Sequence, residues 1–159
     1  MYTGAMQQIR TSSIVRHDVD QMFELVQDVD RYPSFLNWCD AAEVLALTHH
    51  KDHSVQEATL TIGLGFLRQS FTTRNVLHHP NRIDLALIDG PFTHFSGHWQ
   101  FLRLDSGDTR VSLSLDFDFA NGLLGMAFRN GFTLVSQRLV RDFCQRAEEL
   151  HASERSLTS

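Results

Sequence analysis

The hydrophobic pattern changes period twice along the chain. From Gln8 to Arg16 apolar and polar positions alternate loosely, with Ile9, Ser13 and Val15 on one side, which predicts a first strand. Asp18 and Gln21 have the spacing of a capping box, and Met22, Phe23, Val26 and Val29 then recur at helical intervals, predicting a short amphipathic helix. Pro33 disfavours helical geometry at Tyr32, so Asp30-Arg31-Tyr32-Pro33 should end it. A second short helix is expected over residues 34–38. From Ala42 to Phe119 the period is two. Ala58, Leu60, Ile62 and Leu64 alternate with polar neighbours, as do Phe71, Thr73, Asn75 and Leu77, then Ile83, Leu85 and Leu87. Phe95, Gly97, Trp99 and Phe101 follow, and Val111 to Phe119 alternates most regularly. Gly63 and Gly65, His79-Pro80-Asn81, Asp89-Gly90-Pro91 and residues 105–108 separate these runs at intervals too short for crossover helices. An antiparallel meander with one buried and one wet face follows.

The period then returns to that of a helix. Asn121 is placed to cap a segment over about residues 123–151, with Leu124, Phe128, Gly131, Val135, Leu139 and Phe143 on one stripe and Phe132 and Leu150 at its edge. Such a helix is roughly 40 Å long, enough to cross a whole sheet, but only about 10 Å wide. Strands about 4.8 Å apart make a much broader face, so the sheet must curl around the helix. The predicted fold is α+β, of the helix-grip kind: a curved antiparallel sheet of six or seven strands wrapped on a long C-terminal helix, with two short helices near the N-terminus. One domain spans residues 1–159, with its core over 8–151 and disorder expected at 1–7 and 152–159; Met6 offers an alternative start. Incomplete closure leaves a cavity between helix and sheet. Its expected lining is Leu60, Ile62, Phe71, Leu85, Leu87, Trp99, Leu113, Leu115 and Phe117 from the strands, Phe128 and Val135 from the helix, and Tyr32, Phe35 and Phe92 at its ends. The same periodicity serves a solid core equally well.

Composition narrows the chemistry. Twelve phenylalanines against two Trp and two Tyr supply apolar bulk without polar handles. A net charge of −5, with Lys51 the only lysine, gives no footprint for DNA. Cys39 and Cys144 lie in apolar surroundings with no CxxC spacing, as reduced buried thiols do. Neither a leader nor a run of about 18 apolar residues is present, which predicts a cytoplasmic protein. The adjacent pairs His49-His50 and His78-His79 point to opposite faces of their strands, so no metal site is expected. No nucleophile elbow or phosphate loop occurs. Inside the cavity only Thr73 and Asn75 are polar, too little for an acid–base pair, so no catalytic residue and no required cofactor are expected.

The segments Phe23 to Leu36 (FELVQDVDRYPSFL), Phe71 to Asn75 (FTTRN) and Asp89 to Phe92 (DGPF), with Gly97 to Phe101 (GHWQF) and Leu115 to Phe119 (LDFDF), resemble the coenzyme-Q-binding START-like proteins of the polyketide cyclase/START superfamily. The likeness covers residues 8–151, with its first segment the most specific; residues before Gln8 and the stretch 46–54 depart from it. Among bacterial members it is similar to the RatA group of ribosome-association toxins. The resemblance implies a START-like fold that binds ubiquinone or a similar lipid without catalysis, supports respiration, and works in the bacterial cytoplasm, peripheral to the inner membrane. The toxin branch implies binding to the large ribosomal subunit and a block of subunit joining. A third reading is an enzyme of the polyketide-cyclase kind. Within this frame Tyr32, Phe35 and Phe92 would guard a mouth, or pack a corner and a turn. Trp99 would touch a quinone ring, or serve as core. Arg68 and Arg74 would anchor a polar head or RNA, or be ion-paired on the wet face.

Overall fold

The computed structural model describes residues 6–120 and 123–158. The expected cap at Asn121, the stripe position of the Leu124 side chain and the expectations for residues 1–5 lie outside the described residues and side chains. In chain order come β1 (Gln7–Val15), α1 (Val19–Gln27), a 3-10 helix (Val29–Ser34), β2 (Cys39–His49), β3 (Ser54–Leu64), β4 (Leu67–His78), β5 (Arg82–Asp89), β6 (Phe92–Arg103), β7 (Thr109–Phe119) and α2 (Leu123–Thr158). The strands form one antiparallel sheet in the order β1-β7-β6-β5-β4-β3-β2, a meander to which β1 adds beside β7. The helix-grip plan is present.

Asp18 caps α1 as expected, but its carboxylate accepts from the Asp20 amide at 2.7 Å and not from that of Gln21. The second helix comes earlier than expected, over Val29–Ser34, and includes Pro33. A 3-10 turn needs few amide donors, so proline is tolerated. The Arg31 amide reaches Asp28, and the Phe35 and Leu36 amides both return to the Tyr32 carbonyl, which seats the chain before β2. The Asp30 carboxylate accepts from the Val44 amide at 3.0 Å, tying this turn to the edge strand β2. The two termini of the domain also differ from expectation. The first strand begins at Gln7. α2 continues to Thr158 because no Gly or Pro after His151 stops it. Its 36 residues span about 54 Å.

α2 lies against the concave face, and two glycines mark close approaches, one between neighbouring strands and one between helix and sheet. A Cβ on Gly97 would collide with the Ser114 carbonyl oxygen on β7, and one on Gly131 of α2 would sit 2.5 Å from Leu64 Cδ1. Leu64 ends β3, so the β3–β4 hairpin meets the helix where the helix has no side chain.

The concave side is filled unevenly. Around the first turns of α2, Phe71, Phe92, Phe95, Phe117 and Phe119 of the sheet mesh with Phe128 and Phe132. Their ring centroids lie 4.5–6.4 Å apart, mostly edge-to-face or tilted. Farther along α2, Phe143 packs against Tyr32, Phe35 and Trp99, and Trp99 stacks on Phe101. Phe132 touches six other rings, so Phe132→Ala should cost about 3–5 kcal/mol in urea denaturation. Phe66→Ala, at a hairpin tip that is 95% exposed, should change stability by less than about 0.5 kcal/mol in the same assay.

Candidate functional site

Between the two aromatic groups, beside the middle of α2, lies a cavity of about 80 Å³. Nine residues expected there line it: Tyr32, Leu60, Ile62, Phe71, Leu85, Trp99, Leu113, Leu115 and Val135. Five do not. Phe92, Phe117 and Phe128 are buried in the seven-ring cluster, so Phe92 is packing and not a gatekeeper. Leu87, paired with Thr73 just before the register shift near the end of β5, packs on the core without lining the cavity. Phe35 stands outside, edge-on to Phe143 and Tyr32 with the Arg146 guanidinium 5.3 Å over its ring. The cavity is therefore much smaller than a slim helix on a broad sheet suggests. Phenylalanine rings from both layers fill one half of the concavity, and ligand pockets commonly measure about 300–1,000 Å³.

Val29, Trp38, Ala58, Thr73, Asn75, Phe95, Phe132, Ser136, Leu139 and Phe143 complete the wall. Most had a signal. Phe132, Ser136, Leu139 and Phe143 recur at the four-three spacing of one helix face, and Gln56, Ala58, Leu60 and Ile62 share strand parity. Trp38 sits in a short connection with no periodicity to place it.

The polar groups are organised. Thr73 and Asn75 lie two apart on β4, so both face inward, and Gln56 of β3 is the register partner of Asn75. The Thr73 hydroxyl donates to Asn75 Oδ1 at 2.7 Å, Asn75 Nδ2 donates to Gln56 Oε1 at 2.9 Å, and Gln56 Nε2 donates to the Gln27 carbonyl at 3.0 Å. This chain ties the wall to the end of α1. The Tyr32 hydroxyl donates to the Val26 carbonyl, and burial, reinforced by Cys39 and Asp28, pushes its pKa far up. The Trp38 indole N–H is buried without an acceptor. The wall thus carries no carboxylate, imidazole, amine or guanidinium.

Trp38 and Val135 also line a second space, an open groove of about 530 Å³ between the β3–β4 hairpin and α2. Phe35, Leu36 and Leu64 give it an apolar floor, and Arg138, Asp142, Gln145, Arg146 and Glu149 a polar rim. These two residues separate the cavity from the surface.

Arg68 and Arg74 lie elsewhere. They are six residues apart on β4, about 20 Å. Arg68 faces Asp40 at 3.7 Å and Arg74 faces Glu57 at 3.3 Å, so each is ion-paired and they form no joint patch. His50 stacks on His53 at 4.7 Å, with His78 6.0 Å beyond, but no group of three metal-binding side chains converges among the described residues. No described helix is long and apolar enough to cross a membrane.

The family model described as polyketide cyclase / dehydrase and lipid transport matches residues 15–144. The chain belongs to this family. Within it, the ribosome association toxin RatA of Pseudomonas aeruginosa is 40% identical over 143 residues, covering 90% of this chain and 96% of that protein. The mitochondrial coenzyme Q-binding protein coq10 of Schizosaccharomyces pombe is 26% identical over 149 residues, covering 91% and 89%. Among solved structures, the 18 kDa protein CC1736 of Caulobacter crescentus superposes with a TM-score of 0.73 at 29% identity, over 92% of this chain and 99% of that one. The ZhuI aromatase/cyclase of Streptomyces sp. R1128 also gives 0.73, at 18% identity over 91% and 94%, a likeness of fold.

Burial pushes the Cys39 thiol up to about 11; a backbone hydrogen bond with Ala41 works the other way, and the Asp40 charge adds a further upward push. Burial also raises Cys144. At pH 8 Cys39 alkylation should therefore run at least tenfold slower in the native protein than in urea, and accelerate as pH approaches 11. Because the folded pKa lies above the unfolded one, the associated stability is complete below the ordinary thiol range and lost as pH rises through about 11. Iodoacetamide labelling read by mass spectrometry checks the rate.

Proposed function

We propose that the protein binds, without transforming, a lipid whose small polar ring enters the cavity between sheet and α2 and whose tail lies in the adjoining groove. A quinone lipid such as ubiquinone fits this description. The observation that carries the reading is the wall itself: an apolar lining with a few fixed polar groups and no ionisable pair able to move protons. Family membership, with lipid transport in its description, and the name of the coq10 relative support it. An apolar cavity that holds benzene measures about 150 Å³. A space of about 80 Å³ must therefore widen, and the Trp38–Val135 wall, which borders the groove, is where a ring and its tail would connect. Such a ligand is delivered from a membrane, so the protein would work in the cytoplasm, peripheral to the inner membrane, and serve respiratory quinone function.

Association with the large ribosomal subunit, blocking subunit joining, is the second reading. It is supported by the 40% identity to a protein named for ribosome association. Arg68 and Arg74 stand apart and each faces a carboxylate, so on this reading they would meet RNA as separate contacts and not as one basic patch. Sedimentation of ribosomal subunits with added protein tests it: loss of joined ribosomes supports this role, and an unchanged profile removes it. The two readings are compatible. An enzymatic role of the cyclase kind draws support from the shared fold and from the family's description, but the wall offers it no acid–base pair.

Titration with decylubiquinone should quench Trp fluorescence saturably at one ligand per chain. Val135→Trp, which narrows the passage at a half-buried helix position, should weaken binding at least tenfold with an unchanged far-UV spectrum. Absence of saturable quenching, together with no lipid in mass spectra of the gently purified protein, would rule the binding role out.

A further inference from the structure

Resting on the binding role proposed above, we infer that the cavity distinguishes the two redox forms of a ring-headed ligand and holds the hydroxylated form, the hydroquinone, more tightly than the quinone. The basis is the direction of the buried hydrogen-bond chain. Its far end is the Gln27 backbone carbonyl, which can only accept. Gln56 must therefore turn its amide nitrogen to that carbonyl and its Oε1 to Asn75. Asn75 must in turn offer its nitrogen to Gln56, which leaves Oδ1 for Thr73. The reverse orientation would set Gln56 Oε1 against the Gln27 carbonyl oxygen. The Thr73 hydrogen is thereby committed at 2.7 Å, and what its hydroxyl can offer a ligand is an oxygen lone pair.

Thr73, 9% exposed, lines the cavity, so its remaining lone pair is an acceptor in a mostly apolar wall. The Trp38 indole is the complementary element, a buried donor without an acceptor. A quinone carbonyl can accept from Trp38 or from a second Asn75 N–H, but opposite Thr73 it brings two oxygens together with no proton between them. A hydroquinone hydroxyl can donate to Thr73 while its oxygen accepts. Ser136, also in the wall, can rotate its hydroxyl to either role and does not discriminate. The selection is by binding alone, and no electron passes through the protein.

One neutral hydrogen bond made in one form only corresponds to about three- to tenfold in affinity. The test is calorimetric titration of the full chain with decylubiquinone and, under nitrogen, with its hydroquinone. The wild type should bind the hydroquinone about three- to tenfold more tightly. Thr73→Val should remove the preference by weakening the hydroquinone and sparing the quinone, and Thr73→Ser should restore it. Trp38→Phe should weaken both forms. Equal affinities in the wild type, a preference that survives in Thr73→Val, or one that Thr73→Ser fails to restore would overturn the inference while leaving the binding role standing. Failure of both forms to bind would overturn the two together.

Discussion

A single helix has to close the concave side of a seven-stranded sheet, and nearly every feature of this molecule follows from how it does so. α2 is too narrow to touch all seven strands, so the space beside it must be taken up by long side chains or left open. The protein does both. At one end seven phenylalanines from β4, β6, β7 and α2 interlock. At the other, the turn between α1 and β2 inserts Tyr32 and Phe35 against Phe143. The opening lies between these plugs, where the wall changes from aromatic to aliphatic at Leu60, Leu85, Leu115 and Leu139. Interiors pack to crystal density, so a space this size in a core so rich in rings marks a place where the packing was not completed.

The polar groups beside that space are costly unless satisfied, and their satisfaction fixes geometry. Gln56, Asn75 and Thr73 spend their hydrogens in one direction, toward the end of α1. The same bonds hold β3 and β4 to the helix that precedes the Tyr32 turn, so the cavity wall and its cap are mechanically joined. The Trp38 N–H is the exception, a donor left over at the boundary with the groove. Lipid binding and ribosome association make different demands on this architecture. The first needs the wall at Trp38 and Val135 to yield, whereas the second needs only the outer surface.

Much of this was legible from residue order. Strand parity placed Leu60, Ile62, Phe71, Leu85, Trp99, Leu113 and Leu115 on the inner wall, and the helical stripe placed Val135. Parity says which face a side chain takes, but not how far a neighbouring ring reaches. That is why Phe92, Phe117 and Phe128 were expected in a lining and lie instead in a solid cluster, and why the predicted space is larger than the one present. The early turn was displaced for a local reason: Pro33 fits a 3-10 geometry, and Asp30 is drawn to the edge of β2. Trp38 and the Gln56 chain depend on contacts between segments distant in sequence, which no single window displays.

Proton–nitrogen NMR of the two indole N–H groups, recorded while a short-tailed quinone or hydroquinone is added, tests the central claim most directly. A ligand that enters between sheet and α2 through the Trp38–Val135 wall will shift the Trp38 indole resonance strongly, perturb Trp99, which also lines the cavity, and leave amides around Phe128 unmoved. Shifts confined to exposed residues, with both indoles unchanged at saturation, would contradict it.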